Sequence, residues 1–326
     1  MQRIRRVVGI LIAGGALAGA AAAATSGSNL TLVAYSTPRT AYAQLIPAFQ
    51  GSAGGKDVTF TQSYGASGDQ SRAVLNGLKA DVVAFSLQPD VQRLVKPGLV
   101  AANWNKDKFH GMVTDSVVVL SVRPGNPKHI KGWGDLTKDG VDVITPNPFI
   151  SGGARWNVMA AYGAQIKSGK TPAQAQKYLV KLFKNVSVQD KSARESLQTF
   201  ASGKGDVLIG YENEAIFAKR QGVPLEYMIP SSTILIENPI AAVKTSENLA
   251  KAKAFVKWLR TAPAQKIFGN NGYRPVLKSA AKQFHFPKPA KLFKITALGG
   301  WTEVQRKFFD RQSGIMVKVE REAKGG

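Results

Sequence analysis

The feature that most narrows the fold of this chain is an alternation that begins at Asn29. "NLTLVAYS" reads as a strand, "AYAQLIPAF" as a helix, "DVTFTQS" as a strand, "QSRAVLNGL" as a helix and "ADVVAFS" as a third strand. Strands separated by single helices require right-handed crossovers, and they build a mostly parallel sheet flanked by helices. "DSVVVLSVR" adds a strand that "PGNP" closes, and the pattern then restarts with "VDVIT", helices over 153–166 and 172–183, a short "VSV", a helix over 193–201 and "DVLIGY". "TILIENPIAAV" reads as a strand interrupted by Pro239, followed by the helix "NLAKAKAFVKWLRT". "TEVQRKFFDRQSGIMVKVEREAK" reads as one amphipathic helix packed on a lobe, with Phe308, Phe309 and Met316 inward. The pattern predicts an α/β protein of two lobes: residues 29–115 with 240–326 form the first, and 116–239 the second.

A length of 326 residues suits two lobes, each able to bury a core. The chain has no cysteine, and its three histidines, His110, His129 and His285, are scattered, so disulfides and thiolate or zinc sites are excluded and no metal or cofactor is expected. Arg3, Arg5 and Arg6 precede the apolar run "VVGILIAGGALAGAAAA", which ends in small residues. Residues 1–24 therefore read as a cleavable signal peptide rather than an anchor, because Gly9, Gly14, Gly15 and Gly19 interrupt a run near the lower limit for spanning a bilayer. Without cysteine there is no lipid attachment point, so the predicted location is the periplasm. Forty-four basic against twenty-one acidic residues give a net charge of +23, which suits nucleic acid, an anionic surface or a small anion. The basic residues are spread along the chain rather than gathered in runs with interleaved aromatics, and this argues against nucleic acid.

Four helix starts carry explicit signals. Ser67 in "SGDQ" and Ser192 in "SARE" have capping-box spacing to Gln70 and Glu195, Thr37 precedes Pro38, and Ser151 precedes Gly152 and Gly153. A helix start leaves backbone N–H groups unpaired and carries partial positive charge, which suits a small oxyanion, and glycine lets the ion approach the backbone. A single cap is an ordinary structural device. All four of these, however, follow strands, at the carboxyl ends where open α/β sheets bind ligands, so two facing lobes would share one cleft.

Two other motifs lead elsewhere. "AQIKSGKT", residues 164–171, fits the loose phosphate-loop pattern but follows a helix instead of a strand, which argues against nucleotide binding. Ser151 as the nucleophile of a hydrolase would need a held base, and neither a nucleophile elbow nor a suitably placed histidine motif accompanies it.

"DVITPNPFISGGARWNVMAAYGA", together with "SYGASGDQSRAVLNGLKADVV", "LFKNVSVQDKSARESLQTFASGKGDVLIGYENEA" and "GYRPV", resembles the periplasmic sulfate-binding proteins of sulfate/thiosulfate ABC importers over nearly the whole chain after the signal. The resemblance implies the two-lobed type II periplasmic binding protein fold, each lobe a mostly parallel sheet flanked by helices, with the ligand between the lobes. It also implies a monomer that catalyses nothing, takes sulfate or thiosulfate, and hands it to permease subunits coupled to an ATPase. Carried over by position, the ligand donors would be the Ser151 hydroxyl, the N–H groups of Gly152, Gly153, Ala193, Ser67 and Ser36, and the side chain of Tyr211, with Arg155 and Arg194 close behind. This chain departs from the family in having Tyr211 for a usual tryptophan, Ser36 for a usual aspartate, Ala66 for a common glycine and Tyr64 for a common histidine. Phosphate or molybdate therefore stand as alternative ligands.

Overall fold

The computed structural model describes residues 27–325, and the expected signal segment 1–24 lies outside the described residues. Eleven strands form one continuous sheet. The first four are β1 (Ser28–Tyr35), β2 (Val58–Gly65), β3 (Val82–Ala84) and β4 (Met112–Val122). They are followed by β5 (Val143–Ile144), β6 (Val186–Val188), β7 (Val207–Tyr211), β8 (Glu226–Met228) and β9 (Ser232–Ala242), then by β10 (Arg274–Pro275) and β11 (Lys291–Phe293).

Parallel pairing holds β1 to β2 and to β3, and separately β5 to β6 and to β7. Helices cross over within each trio, as the alternation predicts, so the strands of a trio end at one common edge. Long β4 and β9 lie antiparallel between the trios: the end of β9 pairs β3, its earlier part pairs β4, and the second half of β4 pairs β7. These two strands are therefore covalent and hydrogen-bonded links between the lobes, and the chain crosses once more between β10 and β11.

Pro239 does not interrupt β9. The register of β4 slips between Met112 and Thr114, opposite Pro239 and Asn238, and such a bulge accommodates a residue that has no N–H to donate.

Each lobe buries its own apolar cluster. Leu30, Leu32, Tyr42, Phe49, Phe255 and Phe268 pack in the first, and Val118, Leu120, Trp133, Trp156, Met159 and Leu179 in the second. The chain after β10 departs from expectation. Phe293, Trp301, Val304, Phe308, Phe309, Met316 and Val319 all join the second lobe's core, so residues 291–323 bury their apolar side chains there, while Gly300–Phe309 also borders the helix Gln88–Gln92 of the first lobe. Trp301 meets Trp156 edge-on at 4.6 Å between ring centroids, and Phe308 meets Tyr162 at 4.7 Å. The expected single C-terminal helix is two, Gly300–Phe309 and Ile315–Ala323. Asp310 breaks it: its Oδ1 accepts from the amides of Gln312 and Ser313 and from the Ser313 hydroxyl, and a Cβ on Gly314 would stand 2.4 Å from the Asp310 carbonyl oxygen. Phe308, Phe309 and Met316 are buried, as their spacing predicted.

Candidate anion-binding site

The carboxyl edges of the two parallel trios face each other, and the loops leaving them enclose a small cavity of about 10 Å³. Tyr35, Ser36 and Thr37 follow or end β1, Ala66 and Ser67 follow β2, and Ser86 follows β3. Ser151 and Gly153 lie beyond β5, Ser192 and Ala193 beyond β6, and Tyr211 ends β7. The cavity lining carries no formally charged side chain.

The second lobe contributes two helix starts of the expected kind. Ser151 caps the helix Gly152–Lys167, its Oγ accepting from Ala154 N–H at 3.3 Å, so the amides of Gly152 and Gly153 remain the unpaired donors of the first turn. Glycine is required by the fit: a Cβ at position 152 would stand 2.7 Å from Ser86 Oγ across the cleft, and one at 153 would stand 3.2 Å from Ala193 Cβ. Ser192 caps Ala193–Ala201 by accepting from Glu195 N–H at 3.3 Å, and its own hydroxyl donates to Glu195 Oε1 at 3.1 Å. The acid that would otherwise oppose an anion at this helix start is thus turned onto the cap.

The first lobe differs from expectation. Ala66, not Ser67, is the cap of the helix Ser67–Leu75, and the predicted capping box with Gln70 does not form. Ser67 Oγ donates instead to the fully buried Asp90 at 2.6 Å and accepts from Ser86 N–H at 3.0 Å, while the Gln70 amide donates to Ser63 at 2.9 Å. The Ser67 hydroxyl is therefore spent, and its backbone N–H is the donor it can offer. The first helix of this lobe is Arg39–Gln50 with Pro38 at its cap, one residue later than predicted, and the Thr37 hydroxyl pairs with Tyr273 OH at 3.0 Å.

Tyr211 ends β7 at 1 % exposure with its hydroxyl 2.7 Å from Ser86 Oγ, a contact from lobe to lobe. Burial pushes its phenol well above the ordinary tyrosine range, with neighbouring Tyr35 adding to the shift, so the group stays protonated. The Tyr35 hydroxyl is buried beside Thr37 and Tyr273, and burial likewise raises its pKa. Sequence reasoning missed Tyr35 and Ser86, although both stand at carboxyl ends of strands in the first lobe, the position that marked Ser36 and Ser67.

Further contacts hold the lobes together around the cavity. Gly68 N–H donates to the Ile150 carbonyl at 3.2 Å, and Trp156 Nε1 donates to the Ser86 carbonyl at 2.9 Å. Arg194 and Arg155 stay outside the lining. Arg194 is clamped by two 2.8 Å bonds to Glu214, stacks 4.1 Å over the Phe217 ring, and reaches across to the Thr37 carbonyl at 3.1 Å. Arg155 donates to the Pro148 carbonyl and to Gln305, both at 2.8 Å, which ties down the loop leading to Ser151. Burial lowers its pKa to about 10. Arg274 neutralises Glu212 at 2.7 Å, so neither carboxylate in the first turn of the helix after Tyr211 is left unpaired.

The motif "AQIKSGKT" ends one helix and begins the next through a turn at 168–170. It follows no strand and meets none of the cavity, so it forms no phosphate loop.

Residues 30–274 match the family described as bacterial extracellular solute-binding protein. A sulfate-binding protein of Synechococcus elongatus is 42 % identical over 91 % of this chain and 88 % of its own length. A thiosulfate-binding protein of Pseudomonas aeruginosa is 36 % identical over 92 % of this chain and 94 % of its own. The solved structure of the sulfate-binding protein SubI from Mycobacterium tuberculosis is 44 % identical, covers 87 % of this chain and all of its own, and superposes with a TM-score of 0.84.

Proposed function

The chain belongs to the bacterial extracellular solute-binding protein family, alongside sulfate-binding members, and on that premise we propose that it captures sulfate, or thiosulfate, in the cleft between its lobes for uptake by an ABC importer. It works outside the cytoplasm, as its relatives do, and the proposal adds that residues 1–24 are a cleaved signal and that the mature chain acts as a monomer. Permease subunits, and through them an ATPase, are its proposed protein partners. The observation that carries the reading is the cavity itself: helix-start amides from both lobes converge on it, and every lining residue is uncharged.

That arrangement suits a doubly negative tetrahedral ion. A lysine would bring charge on a flexible stem, whereas amides and hydroxyls set in advance match the ion's oxygens in direction and need no reorganisation. The proposed donors are the N–H groups of Ser36, Ser67, Gly152, Gly153 and Ala193 and the hydroxyls of Ser151 and Tyr211. At about 1.5–3 kcal/mol each to a charged acceptor, they together supply about 10 kcal/mol or more. A micromolar complex needs only about 8 kcal/mol, which leaves a surplus to offset desolvation and lobe closure. Helix dipoles alone, at about 0.3–1 kcal/mol each, would not hold the ion. The net charge of +20 that remains when the three arginines of residues 1–24 are removed from +23 then has a different role, drawing anions toward the cleft.

Hydrolysis at Ser151 is disfavoured because its hydroxyl caps a helix and, among the described residues, no histidine, aspartate, glutamate or lysine lines the cavity. Calorimetry and thermal shift on the chain without residues 1–24, against sulfate, thiosulfate, phosphate and molybdate, test the reading. Sulfate or thiosulfate should give the largest stabilisation, since a ligand favours the state that binds it. Absence of heat and stabilisation with both would sink the assignment, as would turnover of an activated ester that Ser151→Ala abolishes.

A further inference from the structure

Five of the seven proposed donors are amides, and an amide N–H can only donate. Ser86 and Tyr211 are different. Their hydroxyls lie 2.7 Å apart with either atom able to be the donor, one from each lobe, and both residues line the cavity. One proton is committed to the bond between them, which leaves the pair one proton to give and free lone pairs to accept with. The Ser86 backbone is held on both sides, its carbonyl accepting from Trp156 and from Asn238 and its N–H donating to Ser67 Oγ, so the serine cannot drift from its partner.

We infer that the Ser86–Tyr211 pair sets specificity in this cavity and lets it hold a monohydrogen tetrahedral oxyanion, of the hydrogen phosphate or hydrogen arsenate class, as well as a fully deprotonated dianion. The inference rests on reading the cavity as an oxyanion site. For a bare dianion the pair turns its free proton inward. For a protonated anion Tyr211 donates to Ser86, and the phenol oxygen accepts the ligand's O–H. A lining made only of donors would instead press an N–H against that O–H and reject it.

Calorimetry with sodium sulfate and inorganic phosphate, near the pH at which phosphate is monohydrogen, tests this on the wild type, Ser86→Ala and Tyr211→Trp. In the wild type both anions bind. Ser86→Ala removes the acceptor for the phenol proton and so forces Tyr211 to donate to the ligand, while the indole of Tyr211→Trp can only donate. In each variant the ratio of sulfate to phosphate affinity rises by about tenfold or more, because a buried donor facing a donor is unpaired. Ser192→Ala, whose hydroxyl caps the helix Ala193–Ala201 and makes no bond to the pair, is the comparison: it leaves that ratio unmoved even if both affinities fall. Sulfate binding without phosphate binding in the wild type overturns the inference and leaves the proposed function standing. A ratio that stays constant in both Ser86→Ala and Tyr211→Trp, with thermal unfolding showing both variants folded, reduces the pair to a structural contact. Failure of both anions to bind the wild type counts against the site reading itself.

Discussion

Two cavities of this molecule treat charge in opposite ways. The one between the carboxyl edges of the parallel trios is lined by serine, threonine, glycine, alanine and tyrosine, whereas another of about 520 Å³ is lined by Asp115, Glu237, Lys108, Lys278 and Lys294 among others. Strands β4 and β9 line the second cavity and reach the first only through hydrogen bonds to its lining residues. Along β4 and β9 successive side chains alternate, so Thr114 and Asn238 bond to each other on the face where Asn238 also reaches the Ser86 carbonyl, and Asp115 and Glu237 turn to the charged cavity. Ions are held where the chain's own charges can pair with one another, as Lys294 does with Glu237, and are absent from the lining of the cavity proposed to take a foreign charge. Removing charge from a binding site strengthens selection because every donor then has a fixed direction, while a mobile cation would accept many anions in many poses.

The contrast can be broken from either side. The largest effect should come from the cation nearest the neutral cavity: Arg194→Ala strands the buried Glu214 carboxylate, and unfolding should show a loss of about 3 kcal/mol with the ligand absent. If Arg194 instead gripped the anion, the loss would appear mainly in affinity. Next is lobe closure. Gly68→Ala would set a Cβ 2.7 Å from the Ile150 carbonyl oxygen across the cleft, and sulfate affinity should fall by about a hundredfold while the melting temperature without ligand barely moves.

The charged cavity yields a pH effect. Burial, with the Glu237 carboxylate opposite on the neighbouring strand, raises the Asp115 pKa to about 7. A carboxyl raised above its unfolded value keeps in the folded state a proton that the unfolded chain has lost, so its contribution to stability falls as pH rises from about 4 to about 7 and is absent above. Asp115→Asn should therefore gain about 1–2 kcal/mol at about pH 8 and nothing at about pH 4, as read by urea unfolding. The smallest effect concerns salt. Between about 0.05 and 0.5 M sodium chloride the sulfate dissociation rate should hold within about twofold, because buried donors are little screened, while the association rate drops severalfold as steering by the positive surface fades.

Much of the frame was legible from local patterns. The strand and helix alternation placed β1, β2, β3, β5, β6 and β7, and the caps at Ser151 and Ser192 stand where their residue types put them. Ser67 misled because the same serine that suits a cap also suits Asp90, twenty-three residues on, and a buried carboxylate is the stronger acceptor. The break at Asp310 was visible in "DRQSG" but overshadowed by the apolar period on either side of it. Ser86 and Tyr35 carried no signal beyond their place at the end of a strand.

By itself the sequence determined the α/β alternation, the helix starts at strand ends and the donor types they offer, because backbone geometry and capping act over a few neighbouring residues. Tertiary structure alone decided which hydroxyls remain free, that Ser86 meets Tyr211, and that residues 291–323 cover the second lobe. Those outcomes depend on which groups are brought within about 3 Å of each other by packing between distant segments, and no local pattern encodes that distance.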